Sequence, residues 1–326
     1  MQICAGVTSF LGRVGRLSRQ NQRRMASVGV AAGIAAAFNA PIAAVTFTLE
    51  EVIGDLDQTM LSGVIVPAAL AAVVERTILG THPVLEVLRT YSLVSASSLV
   101  WYAVLGCLSA LVSVAFTDSL LGLRDWFKRL TVIPKWAHPG VGGAVTGLLA
   151  VSALAWLHTS GISGGGYQTL GQALLGSLPL KVMLGLCVLK FIATVFSYSS
   201  GGVGGIFAPA LFIGAMLGGA IGYIDVMVLH HTSDEIGAFA VVGMGAVFAG
   251  IIRAPITSVL IIFEMTGGYG LVLPLMVANM SAYALARHWR HTPIYGALLL
   301  QDGVELPRRK PVIDEPSGMQ VGEQLP

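Results

Sequence analysis

The chain has 326 residues, of which only 11% are Asp, Glu, Lys or Arg and 55% are apolar, with 40 glycines besides; soluble globular proteins carry about 25% charged residues. These numbers exclude a disordered chain, a nucleic-acid binder and a disulfide-stapled secreted scaffold, and a net charge of +2 points to no acidic partner. Residues 25–49, 90–117, 136–180, 191–224 and 265–286 hold no charged side chain, and each run meets or exceeds the ~20 apolar residues that a transmembrane helix needs. The sequence therefore predicts an all-α, polytopic integral membrane protein.

In chain order, residues 1–12 start in apolar sequence without a basic leader. Arg13, Arg16, Arg19, Arg23 and Arg24 follow, with no acid before Glu50; such a cluster belongs on the cytoplasmic side. Residues 28–50 (VGVAAGIAAAFNAPIAAVTFTLE) predict two short helices joined at an Ala-Pro break, ending on Glu50 and Glu51. An ionisable group beside a membrane span is a functional candidate, and a carboxylate there can carry protons. The plainer reading is a helix-end carboxylate among lipid headgroups. Residues 75–89 balance Glu75 and Glu86 against Arg76 and Arg89 and read as outside. Arg124, Lys128, Arg129 and Lys135 form a second cytoplasmic cluster.

Two glycine-rich breaks follow, SGISGGGYQTL (160–170) and SSGGVGGIFAP (199–209). Glycines 201, 202, 204 and 205 allow an irregular backbone, and Pro209 suits a first helical turn. The free N–H groups at that helix start, those of Ile206 and Phe207, would face the membrane interior as an anion site built from partial charge. For a conducted ion this suits better than Lys or Arg, because binding must permit release. Helix–helix packing through small residues is the competing reading. Residues 225–235, with Asp225, Asp234, Glu235, His230 and His231, read as a solvated outside loop, and the histidines as loop residues before a metal pair. Arg287, Arg290, Arg308, Arg309 and Lys310 form a third cytoplasmic cluster, and residues 301–326 a short cytoplasmic tail without a regulatory domain. Cys4, Cys107 and Cys187 stand singly and read as core thiols.

One internal match stands out, at an offset of 214 residues. Residues 28–50 lie over 242–264 (VGMGAVFAGIIRAPITSVLIIFE) with 9 of 23 positions identical, including Gly29/Gly243, the Ala-Pro-Ile steps 40–42 and 254–256, and Glu50/Glu264. A shared Pro with Glu nine residues on, inside uncharged sequence, suggests an inverted repeat of broken, tilted helices. Glu50, matched by Glu264, reads as structural. Glu51 is matched by Met265, an asymmetry that favours a function for Glu51. The first-repeat partner of 199–209 would precede residue 1, so the first repeat is expected to be incomplete in this sequence: 1–89 its remainder, 90–300 the second repeat.

AFNAPIAAVTFTLEE (37–51), SGISGGGY (160–167), SSGGVGGIFAP (199–209), GMGAVFAGIIRAPITSVLIIFEMT (243–266) and TPIYGAL (292–298) together resemble the CLC chloride channels and chloride/proton exchangers. The resemblance runs in order over about residues 1–300. It implies a homodimeric, multi-pass protein of the bacterial inner membrane, with its C-terminus cytoplasmic and one anion pathway per subunit. Chloride and protons are its implied partners, with no cofactor, no nucleic acid and no enzymatic activity. By position, Ile206 and Phe207, with Gly204 and Gly205, correspond to the backbone anion ligands, Tyr295 to the inner tyrosine whose hydroxyl meets the anion, and Glu51 to the internal proton glutamate of exchangers. The dimer-forming helices would fall near 41–51, 58–80, 255–265 and 272–288.

The family's Gly-Ser-Gly-Ile-Pro and Gly-Arg-Glu-Gly-Pro motifs are absent from these 326 residues. A chloride/proton exchanger in its full-length form is the leading expectation. A truncated, non-transporting membrane fragment and a transporter of another anion, such as fluoride, are the alternatives. Upstream DNA is expected to encode the two motifs in frame; sequencing that finds a stop codon just before Met1 and no such helices overturns the expectation.

Overall fold

A computed structural model describes residues 1–53, 58–80, 85, 91, 98–131, 133–229 and 234–304. The secondary structure of these residues is helical throughout: α1 (Gln2–Val14), α2 (Arg19–Phe38), α3 (Pro41–Phe47), α4 (Gln58–Leu79), α5 (Ser98–Arg129), α6 (His138–Leu157), α7 (Tyr167–Leu174), α8 (Leu180–Ser199), α9 (Phe207–Leu229), α10 (Asp234–Ile252), α11 (Pro255–Thr266), α12 (Val272–Trp289) and α13 (Ile294–Gln301). Among the described residues, six helices are long and apolar enough to cross a membrane. The loop histidines 230 and 231 and tail residues 305–326 lie outside the described residues.

α10 sits at the centre. Its apolar span Glu235–Ile252 is buried along its whole length, as expected of a helix that is apolar all round. α9 crosses it at glycine. A methyl group on Gly214 or Gly218 would strike the backbone of Gly243 or Phe239, and one on Gly243 would strike Gly214 and Gly218. Small residues spaced four apart let two helix backbones approach this closely in a membrane, where packing rather than water drives association. Gly29, the repeat partner of Gly243, performs the same task where α2 meets α1: a methyl group there would strike Cys4, Ala5 and Thr8.

The backbone repeats as the sequence does. α3 and α11 start at 41 and 255, and α4 and α12 at 58 and 272, each pair 214 apart. Before each proline helix one residue turns left-handed, Asn39 (φ 48°) and Arg253 (φ 70°). An extended alanine follows, Ala40 (φ −126°, ψ 73°) and Ala254 (φ −114°, ψ 78°). The left-handed region is costly for a residue with a Cβ, and side-chain bonds hold both turns. Arg76 Nε donates to Asn39 Oδ1 at 2.8 Å. Arg253 donates to the carbonyls of Gly250 (2.8 Å), Arg290 (3.0 Å) and Ala286.

Each break also exposes the N–H groups of the helix that follows, and these are satisfied across the repeat. Ile42 and Ala43 at the start of α3 donate to the Glu264 carboxylate at 3.0 and 2.7 Å. Ile256 and Thr257 at the start of α11 donate to Glu50 at 3.2 and 2.8 Å, and the Thr257 hydroxyl adds a bond of 2.6 Å. The structural reading of Glu50 is the one this geometry favours over a headgroup carboxylate.

Two expectations need correction. Asp225 and Glu235 are not solvated loop residues: they lie inside α9 and α10 and are buried, and the Ser98 hydroxyl donates to Glu235 at 3.2 Å. Both helices run further into the polar stretch than its composition suggested. Of the three cysteines only Cys187 is buried; Cys107 is exposed on α5 and Cys4 is intermediate. A lone apolar thiol faces lipid as readily as protein.

Removal of either cap leaves two helix-start amides unsatisfied, at about 1–3 kcal/mol per group. Glu50→Ala and Glu264→Ala are expected to lower stability by similar amounts, of that order, in denaturant titrations of the detergent-solubilised protein.

Candidate functional site

The segment 200–206 between α8 and α9 is irregular, and α9 begins at Phe207 with Pro209 in its first turn. Among the described residues, the main-chain N–H groups of 203–208 donate to no protein acceptor; proline 209 has none to give. The residues that bear them line a cavity of about 650 Å³. Its wall includes Val203, Gly204, Gly205, Ile206, Phe207 and Ala208 from this segment, Ile162, Gly164 and Gly165 from the upstream break, Tyr295 from α13, and residues 1–3 with Phe38. Among the described residues, no Asp or Glu lines it.

Gly204 and Gly205 distinguish the two readings of the glycine-rich segment. A methyl group on either would meet nothing within 4 Å, so these glycines do not serve helix packing, unlike Gly214 and Gly243. Their missing side chains leave the amides open to the cavity. Ile206 and Phe207 are buried, at 2% and 5% exposure.

Aromatic rings fix the start of α9. Phe207 stacks on Phe38 at 4.8 Å between centroids and meets Phe47 (5.7 Å) and Phe248 (4.4 Å) edge-on, and Phe47 meets Tyr295 at 6.5 Å. Edge-to-face and offset rings at these separations add to the burial of apolar area. Three helices, α2, α3 and α10, thereby hold the loop end of α9 in one position.

Tyr295 lies in the first turn of α13, whose far end is tied down. Arg124 and Lys128 of α5 each pair with Asp302 at 2.9 Å, and Gln301 accepts from Arg124 at 3.1 Å. The hydrogen bonds from Arg124 and then Lys128 hold the Asp302 carboxyl below its ordinary pKa. This contact is present above the usual carboxylate range and lost as pH falls through the lowered one. Arg290, at the end of α12, pairs with Asp118, so the second and third basic clusters meet at one end of the bundle. Among the described residues the Tyr295 hydroxyl has no hydrogen-bond partner, and the residue lines the cavity.

The structure thus brings Gly204, Gly205, Ile206, Phe207 and Tyr295 together. Glu51 is not in the cavity wall; it is half-buried in a wide helical turn, Thr48–Ile53, that continues α3, near enough to Tyr295 to act on it electrostatically. The aromatic collar of Phe38, Phe47 and Phe248 was not visible in sequence, because its members are far apart in the chain. Lys190 was also missed. The sequence favoured a site without Lys or Arg, yet Lys190 is part of the wall. The signal was there: a single cation immediately before an uncharged run of 34 residues, 191–224.

The voltage gated chloride channel family matches residues 1–287. The chain belongs to that family. An H(+)/Cl(-) exchange transporter ClcA of Salmonella paratyphi A is 32% identical over 286 residues, 86% of this chain and 59% of the relative, and the Salmonella typhi ClcA aligns equally well. The chain therefore spans about 59% of the length of these voltage gated chloride channel relatives. A slow cyanobacterial Cl-/H+ antiporter superposes with a TM-score of 0.81 at 28% identity, covering 92% of this chain and 70% of that one. A CLC-type fluoride/proton antiporter shares the fold at TM-score 0.72 and 24% identity, covering 91% and 70%. The chain is an integral, multi-pass membrane protein of the CLC fold.

The two kinds of glycine give opposite expectations. Gly243→Ala forces two backbones apart and is expected to abolish monodisperse protein in size-exclusion chromatography. Gly205→Ala adds a methyl group to open space and is expected to elute and melt like the unaltered chain.

Proposed function

We propose that this chain forms the anion pathway of a chloride/proton exchanger. The observation that carries the reading is the row of unbonded amides, residues 203–208, which with Tyr295 and its unbonded hydroxyl lines a cavity that has no carboxylate among the described residues. Amide dipoles attract an anion without the grip of a fixed ligand charge. In this reading Ile206 and Phe207 supply the ligating N–H groups, Gly204 and Gly205 leave room for the ion, and Tyr295 donates its hydroxyl from the opposite wall. The absence of acids from the wall supports an anion as cargo. The proton follows a separate route in which Glu51 is the carboxylate that takes it up, near Tyr295 but off the anion cavity. The Cl-/H+ exchange named for the relatives supports both halves of this reading.

The division into a first repeat remainder (1–89), a second repeat (90–300) and a tail (301–326) is part of the same proposal, supported by the 214-residue spacing of the helix starts and the exchanged carboxylates. A homodimer is proposed through α3, α4, α11 and α12, whose bounds fall where the resemblance placed the dimer helices. The convergence of the second and third basic clusters supports a cytoplasmic C-terminus, in the inner membrane of a bacterium.

Liposome flux tests the reading. Chloride efflux accompanied by proton uptake is expected, with Glu51→Ala lowering proton uptake at least tenfold while chloride efflux persists. Efflux indifferent to a proton gradient indicates a channel, fluoride efflux in preference to chloride indicates another cargo, and no flux of either halide overturns the reading.

A further inference from the structure

Lys190 is 3% exposed in the middle of α8, between turns of otherwise apolar residues. Its ammonium donates to the carbonyls of Ile162 (2.9 Å), Gly164 (2.8 Å) and Gly161 (3.4 Å), and sits 5.0 Å from the centre of the Phe212 ring. All three donors are thus directed at neutral carbonyls of the loop between α6 and α7, the loop that supplies Ile162, Gly164 and Gly165 to the cavity wall. Among the described residues no carboxylate pairs with Lys190. The cavity wall therefore contains an ammonium group that the protein orients through neutral carbonyls and that no carboxylate among the described residues pairs with.

Three carbonyls need no ammonium; neutral donors satisfy them equally, and an unpaired charge in a membrane interior is expensive to keep. Attraction at short range in low dielectric is large, whether or not the two charges touch. We propose that Lys190 is a specificity-determining residue of the cavity: it holds the 161–164 loop in place, and its charge, directed away from the ion by those bonds, sets the potential that favours a monovalent anion over a neutral or cationic solute. This rests on the anion reading above. It also reconciles release with attraction, because the ion meets amide dipoles and a hydroxyl while the ammonium in the wall spends its hydrogen bonds on the loop carbonyls.

The test is calorimetric titration of chloride, and separately bromide, into the purified chain in detergent. Lys190→Arg is expected to bind within about threefold of the unaltered chain, while Lys190→Gln, which keeps two donors for the loop but no charge, and Lys190→Met weaken both halides about tenfold or more. A Lys190→Gln variant that binds as the unaltered chain does overturns the role of the charge and leaves the anion reading standing. An Arg variant as weak as Gln does the same, by showing that shape at α8 rather than charge is what matters. Should Lys190→Met fail to give monodisperse protein, the Arg and Gln pair decides alone. No halide binding to the unaltered chain overturns both this inference and the anion reading.

Discussion

A membrane interior offers no water to a backbone amide, so each helix that starts inside the bundle must find acceptors within the protein. Three starts in this chain show two answers. α3 and α11 each receive a carboxylate, Glu264 and Glu50, from the opposite repeat unit. α9 receives none, and its amides open on the cavity. Because a broken helix is tolerated only where it is buried in protein or lines a polar space, the same constraint produces a structural joint in two places and a cavity-lining segment, the proposed ion site, in the third.

Glycine divides along the same line. Gly214, Gly218 and Gly243 are needed because backbone lies against them, and Gly204 and Gly205 because nothing does. One set brings α9 and α10 into contact and fixes the axis of α9; the other uncovers the end of that axis. The aromatic collar around Phe207 then converts a flexible segment into a positioned one. The proposed anion ligation by main chain depends on this, since amides have no side-chain rotamer to adjust and are placed only as well as the loop that bears them.

Much of this was legible in the sequence. The uncharged runs gave the membrane character of the chain but not its spans, since 191–224 is broken between α8 and α9 and the spans Leu61–Leu79 and Leu180–Ser199 hold charged residues. The Pro-to-Glu spacing gave the repeat, and its offset of 214 recurs in the starts of α3, α4, α11 and α12. The pairing of Glu50 with Glu264, against the unmatched Glu51, separated a structural carboxylate from a candidate proton carrier. What stayed hidden was long-range. Nothing local to Glu264 says that its acceptors serve residues 42 and 43, and nothing near Phe38 says that it stacks on Phe207. Gly204 and Gly214 look alike in sequence, and only the neighbours distinguish them. Asp225 and Glu235 misled because a polar residue near a helix end reads as solvent-facing unless its partner is known. Lys190 was legible as a lone cation before an uncharged run but was missed, because a site built from partial charge directs attention away from Lys and Arg.

The exchanged carboxylates also bear on how the protein is made. Glu264 lies 222 residues after the Ile42 amide it serves. At about 5–20 residues per second, the ribosome needs on the order of 10–45 s to deliver it after α3 has been synthesised. During that interval α3 resides in the bilayer with its first amides uncapped, and it cannot settle on α11 because α11 does not yet exist. The two joints must therefore close together after synthesis, and a nascent chain stalled between them carries an uncompensated polar defect in the membrane.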